Sequence, residues 1–259
     1  MFSMVIATRN DSYGGKCADV DNFTMRRLEV TCFSVEQIKA ITELIVVEFA
    51  PDKLRIIEHV RKFPKVRIIT ITKKYHQLLK EDSNIKLPFY EYIAKHVGIY
   101  SAKNEHIIVA NPDNIFPNRN FLSVIDSSLK GKVSRAIRYD IFREYCTRRN
   151  NDLCYEAEQN TFMTLATSHT AAGDFCVMTK TLYDKVGGYK MVHGNWHLDN
   201  DLLERLTQKT EVTQIYEHYH FDHDNSRVED ITPKDFENFK PINLQLVNDM
   251  FTYIEKVRT

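Results

Sequence analysis

The sequence predicts an α/β fold: a mostly parallel central sheet flanked by helices, with an irregular second half. Three observations predict it. Short apolar, β-branched runs recur at residues 3–8, 44–49, 66–71 and 107–110. Helix-period segments alternate with them, which implies right-handed crossovers between parallel strands. The run Ile107–Ala110 is continuously apolar and ends in the polar turn Asn111-Pro112-Asp113-Asn114, as a central strand covered on both faces does.

In order, residues 3–8 form strand one and lead into the polar loop Arg9-Asn10-Asp11-Ser12-Tyr13-Gly14-Gly15. That loop has neither the GxxxxGK[ST] nor the GxGxxG spacing. Apolar positions Leu28, Cys32, Val35 and Ile38 share one face of a helix within 22–40. Leu44–Phe49 is strand two, and Pro51 opens a helix spanning Leu54, Ile57, Glu58 and Val60. Val66–Ile71 is strand three, Glu91–Ala102 a helix, and Ile107–Ala110 strand four. By pattern, residues 1–115 make a nucleotide-binding half. Further on, Phe121–Leu129 reads as helix and Val133–Tyr139 as strand. Residues 143–168 read as a polar loop. Phe175–Met178 is a short strand, and Thr179–Val186 a helix closed by Gly187-Gly188. Asp199–Leu206 is a helix with acids in its first turn, and Val212–Tyr219 a strand that runs into the cluster His220-Phe221-Asp222-His223-Asp224. From Pro233 the tail reads as helix, with Phe236, Phe239, Leu244, Val247 and Phe251 for packing. The expected organisation is a single domain with parts 1–115, 116–232 and 233–259.

Composition narrows the function. With 43% hydrophobic and 27% charged residues the 259-residue chain is of globular type. Lys+Arg and Asp+Glu both number 35, so net charge gives no drive toward nucleic acid or a membrane surface. Five cysteines without zinc-site spacing read as free thiols of a reducing compartment. No apolar run approaches the roughly 20 residues of a spanning helix. Strand one starts almost at Met1 with no signal peptide expected before it, so the expectation is a cytoplasmic protein.

Four acidic or histidine clusters are candidates for chemistry. Asp113, stiffened by Pro112 at a strand end, is placed to hold a divalent cation against a phosphate; the plainer alternative is a turn shaped by Asp and Asn. Asp174, in Gly173-Asp174-Phe175, enters a strand beside a cleft, or caps a turn. Asp199 and Asp201 begin a helix, where a carboxylate accepts a proton or merely serves as an N-cap. His220 and His223 are metal-ligand candidates, although a His-x-x-His pair without cysteines is equally an ordinary packed or exposed pair.

Taken in order, these segments resemble the A-type (GT-A) fold of nucleotide-sugar-dependent glycosyltransferases over about residues 3–227. Thr8-Arg9-Asn10-Asp11 is similar to the family's nucleotide-binding opening. Tyr92-Ile93-Ala94-Lys95-His96-Val97-Gly98-Ile99, with Ala102 and Ile107 to Asp113, is similar to the helix–strand run that delivers its acidic metal motif. Gly173-Asp174-Phe175 with Gly187-Gly188-Tyr189 looks like its acceptor segment, Asp199-Asn200-Asp201-Leu202 with Arg205 like its base-bearing helix start, and His220 and His223 match its late metal histidine. Two departures stand out: Asn111 occupies the place of the first acid of Asp-x-Asp, and His96 the place of an expected Asn.

The resemblance implies sugar transfer from a nucleoside diphosphate donor, UDP-linked by preference, to a hydroxyl of a glycan, glycolipid or protein, with inversion. It implies Asp199 as base with Asp201 second, and donor contacts from Thr8, Arg9, Asp11, Glu48, Asn111 and Asp113. It further implies acceptor contacts from Asp174 and Trp196, and Mn²⁺ or Mg²⁺ on Asp113, His220 and His223. Segments 143–168 and 190–198 would act as lids. Two alternatives remain at this point: a sugar-1-phosphate nucleotidyltransferase, and a binding module on the same fold without activity.

Overall fold

The computed structural model describes residues 1–10, 22–51, 55–83, 87–147, 149, 164–165, 173–195, 197–222 and 239–257. Four strands, β1 (Phe2–Thr8), β2 (Ile41–Phe49), β3 (Val66–Ile71) and β4 (His106–Ala110), form a parallel block in the order β3-β2-β1-β4. Every residue of β1 is buried, because both faces are covered. Met4 and Ile6 pack with Leu28, Cys32 and Val35 of helix α1 (Phe23–Glu36). Val5 and Ala7 point the other way, into a core shared with the later helix Glu91–Ser101. This is the burial that a continuously apolar parallel strand requires.

Helix α2 (Ile57–Val60) is a single turn. Helix α3 (Lys73–Asp82), whose N-cap Thr72 side chain accepts from the Tyr75 amide, goes beyond the elements expected from sequence. Helix α4 (Glu91–Ser101) lies flush on the sheet. A Cβ on Gly98 would stand 2.3 Å from Val5 Cγ1 and 3.0 Å from Val47 Cγ2, so only glycine allows this approach. After it come β5 (Asn114–Ile115), α5 (Phe121–Leu129), β6 (Val133–Ile141), the short β7 (Thr164–Leu165), β8 (Phe175–Thr179), α6 (Lys180–Lys185), α7 (Leu198–Thr207), β9 (Val212–Phe221), α8 (Leu244–Asp249) and β10 (Ile254–Val257).

Beyond β4 the sheet is mixed. β8 runs antiparallel between β4 and β6, β6 pairs parallel with β9, and β5 closes that edge antiparallel. The parallel expectation therefore holds for the first half of the sheet, and the second half departs from it. Of the segment 143–168, the described parts include a 3₁₀ turn at Arg143–Thr147 and β7, which pairs with Tyr139 and Asp140. Pro233 and Phe236 lie outside the described residues, and the described part of the tail, 239–257, differs from the helix expected. After α8 and a 3₁₀ turn, its last strand adds antiparallel to the open edge of β3. Leu244 and Phe251, expected to pack, are exposed. Before that, Val192 bridges Pro241, and His193 N donates to Lys240 O at 3.0 Å, so the tail braces the segment leading into α7.

The strand directions decide where chemistry can gather. β4 ends where the antiparallel β8 begins, so Ala110 pairs with Phe175 and their neighbours Asn111 and Asp174 abut. β6 and β9 end together, with Asp140 opposite His220. His220 thus lies within a strand, paired also with Asn114, and not in a loop after one.

Candidate functional site

At this edge of the sheet a continuous polar chain links helix α4 to the ends of β4, β8, β6 and β9. On α4, the Lys95 ammonium is fully buried; it pairs with Glu91 at 2.6 Å and donates to Asn111 Oδ1 at 2.7 Å and to the Gly173 carbonyl at 3.3 Å. Asn111 Nδ2 donates to Asp174 Oδ1 at 2.6 Å. The other oxygen of Asp174 accepts from Arg138 Nη1 at 3.0 Å. Arg138 Nε donates to Asp140 Oδ1 at 2.7 Å, and His220 Nδ1 meets the same oxygen at 2.7 Å. The far nitrogen, His220 Nε2, faces Asp113 Oδ2 at 3.7 Å, with Arg27 Nη1 3.5 Å from that oxygen.

Electrostatics follow from this geometry. Burial alone would lower the basicity of His220, but the Asp113 charge and hydrogen bond, then Asp140 and Asp174, raise its pKa to about 9. Without a metal, His220 is therefore an imidazolium clasped between two carboxylates. Asp140 is held low despite its burial by the hydrogen bond from His220 and by Arg138. His218, two residues before His220, goes the opposite way from that histidine: burial pushes it down to about 4, and neither ring nitrogen has a hydrogen-bond partner among the described residues. Its ring lies against Phe116 and Phe175.

Asp113 and His220 fit a divalent cation in one respect. Asp140 fixes Nδ1, which leaves Nε2 directed at a carboxylate, the arrangement of an oriented imidazole ligand. Proton and cation would compete for that nitrogen. Among the described residues no group of three His, Cys, Asp or Glu side chains is already set to hold a metal ion. Asn111, at the place of the first acid, already accepts from Lys95 through its carbonyl oxygen.

Asp199 approaches from the other side. It stands in the first turn of α7, whose N-cap position is His197 (φ 53°), so capping is not its task. A Cβ on Gly173 would lie 3.2 Å from Asp199 Oδ2 and 3.6 Å from both Lys95 Nζ and Tyr92 Oη. The carboxylate thus reaches the Lys95 end of the polar chain. Asp201 is engaged elsewhere: Arg205 holds it at 2.6 and 3.0 Å, and Lys190 also pairs with it.

Of the donor-side residues expected from sequence, Thr8 is buried at the end of β1, opposite Glu48. Glu48 has both oxygens occupied, by Arg55 Nε at 2.7 Å, the Ile56 amide at 2.8 Å and Thr70 Oγ1 at 3.0 Å. It anchors the sheet edge to the chain beyond it. Arg9 donates to the Pro88 carbonyl. Asp11, Trp196 and His223 lie outside the described residues. The structure therefore brings Asn111, Asp113, Asp174, His220 and Asp199 together, and adds Lys95, Arg138, Asp140 and His218, which the sequence reasoning passed over. The signal for two of them was Arg138-Tyr139-Asp140, opposite charges two apart near the end of a strand.

No protein-family model matches the sequence, and no curated protein matches it either. Among solved structures, residues 1–349 of the S. aureus glycosyltransferase TarS share the fold. The TM-score is 0.54 and the identity 11%, over 85% of this chain and 60% of that one. This chain thus spans less than two thirds of that structure. The mixed α/β architecture, a large central sheet flanked by helices, is similar to that of a glycosyltransferase. Among the described residues no helix is long and apolar enough to cross a membrane.

Proposed function

We propose that the protein is a GT-A-type, inverting glycosyltransferase that moves a sugar from a nucleoside diphosphate donor to a hydroxyl acceptor. The observation that carries this reading is the convergence of Asp113, His220, Asp174 and Asp199 on one edge of a glycosyltransferase-like sheet. Asp199 is the base that takes the acceptor's proton as its oxygen attacks the anomeric carbon; the diphosphate leaves from the opposite face. Asp113 and His220 would hold Mn²⁺ or Mg²⁺, which stabilises the leaving diphosphate as a Lewis acid when bound.

Charge balance supports the need for an incoming cation. Glu91, Asp113, Asp140 and Asp174 are already matched by Lys95, Arg27, Arg138 and His220. Asp199 adds a fifth carboxylate near Lys95, and a diphosphate adds further negative charge. A divalent ion arriving with it, in exchange for the His220 proton, offsets part of that added charge.

The test is a thermal-shift panel of UDP-, GDP- and dTDP-sugars with and without Mn²⁺. A donor at a hundred times its Kd stabilises by about 2.7 kcal/mol, a shift of several degrees. A Mn²⁺-dependent shift with one donor is expected, followed by hydrolysis or transfer of that sugar. No shift with any donor refutes the reading. Binding without turnover for every acceptor leaves a binding module, and pyrophosphorolysis of a nucleotide-sugar points to a nucleotidyltransferase.

A further inference from the structure

Residue 111 sits where only an amide completes the polar chain. On one side it must accept from a buried ammonium, and it does so through Oδ1, 2.7 Å from Lys95 Nζ. On the other it must donate to a carboxylate, and Nδ2 does so, 2.6 Å from Asp174 Oδ1. These two partners fix which end of the amide is oxygen. A carboxylate at 111 would satisfy Lys95 but set two acidic oxygens against each other at that 2.6 Å spacing. A shorter hydroxyl would not span both partners.

The position also joins two sides of the site. Lys95 leads to Glu91, Gly173 and the approach of Asp199. Asp174 leads through Arg138 and Asp140 to His220 and Asp113. We propose that Asn111 is a positioning residue that locks the base side of the site to the donor side through Lys95 and Asp174, and that it ligates neither the cation nor the donor. This rests on the glycosyltransferase reading for the names of the two sides. The link itself does not depend on turnover. Asn111 is then a connector in its own right, not a weakened version of a metal-binding acid.

The test is an exchange of the two side chains. Asn111→Asp, Asp174→Asn and the double variant are purified, and their melting temperatures are compared with wild type. In the double variant the carboxylate now at position 111 accepts from Lys95 and from the amide N–H now at position 174, while the carbonyl oxygen of that same amide accepts from Arg138. Every bond of the chain is kept and net charge is unchanged. Each single variant is expected to lose about 5–10 °C, and the double variant to recover more than half of the summed loss. Should Asn111→Asp alone fail to fold, a folded exchange variant counts as the same recovery. Additive losses, or no folded double variant, overturn the proposal. A second readout is the Mn²⁺ concentration giving half of the donor-induced shift. It is expected to be unchanged or higher in Asn111→Asp; a drop of tenfold or more would place residue 111 on the ion and overturn the proposal. If wild type binds no donor, the functional reading fails, whereas the melting cycle still decides the link.

Discussion

His96 predicts an acid-sensitive stability that can be worked through in numbers. Its Nδ1 lies 2.8 Å from the Tyr183 hydroxyl, which also accepts from the Tyr189 amide at 3.0 Å. With its oxygen accepting there, the hydroxyl is free to donate its own hydrogen to His96, which suits a neutral ring with a lone pair at Nδ1. Protonating His96 would charge a buried ring and require that hydroxyl to turn its hydrogen away. Burial accordingly pushes its pKa from 6.5 down to about 4, although Asp184 pulls the other way. The unfolded chain takes up this proton near pH 6.5 and the folded chain only near pH 4, so between these values the unfolded state binds more protons. The His96 contribution is complete above pH 6.5 and is lost as pH falls. Between pH 8 and pH 5 the loss from this residue comes to about 2 kcal/mol. The assay is urea unfolding of wild type and His96→Asn at pH 8, 7, 6 and 5. The stability difference between the two proteins is expected to move by that amount in favour of the variant as pH falls. Parallel pH profiles, or a wild type that gains on the variant in acid, would refute the argument.

Three further substitutions probe the site and its support. Asp199→Asn is expected to lower turnover by about 10²–10⁴ while leaving donor affinity nearly intact; equal loss of both in a titration of donor binding would count against Asp199 as base. Gly173→Ala places a Cβ 3.2 Å from Asp199 Oδ2, so the carboxylate must shift by a few tenths of an ångström. Turnover should fall about tenfold with stability changed by less than about 1 kcal/mol, and unchanged kinetics would show that Asp199 tolerates the displacement. Gly98→Ala drives a methyl into Val5 and Val47 and lifts α4 from the sheet. Urea unfolding should record a loss of about 3 kcal/mol, and a neutral result would mean that the helix rides higher than its contacts indicate.

The parts of the fold legible in the sequence are those whose burial is written into local pattern. β3 (Val66–Ile71) and α5 (Phe121–Leu129) have the bounds expected, because a β-branched run and a helix-period run are each decided by their own residues. α3 was not legible. In Lys73–Asp82 only Tyr75, His76 and Leu79 are buried, too few to mark a stripe in a segment otherwise rich in charge. β10 was not legible for a different reason. Ile254–Val257 becomes a strand because β3 offers an open edge far earlier in the chain, at a separation where local periodicity says nothing.

The site divides along the same line. Asp113, Asp174 and Asp199 stand beside turns or helix starts, where an acid attracts notice. Arg138, Asp140 and His218 sit on alternating positions of strands, and polar alternation ordinarily marks the solvent face. Here those side chains pair with one another and with Asp174 from the start of β8, and alternation cannot say which neighbour a strand acquires. Lys95 and His96 make the point most sharply. They are consecutive on α4. Lys95 meets a carboxylate, an amide oxygen and a carbonyl, which is why a fully buried lysine is tolerated there. His96 meets a phenol, and its buried ring is driven to the neutral form. A lysine in a helix reads as solvated until its partners are known. Those partners, Asn111 and Gly173, come from two other strands' ends. It follows that position 111 is best understood from Lys95 outward: the buried cation was missed in the sequence, and the amide at 111 is what answers it.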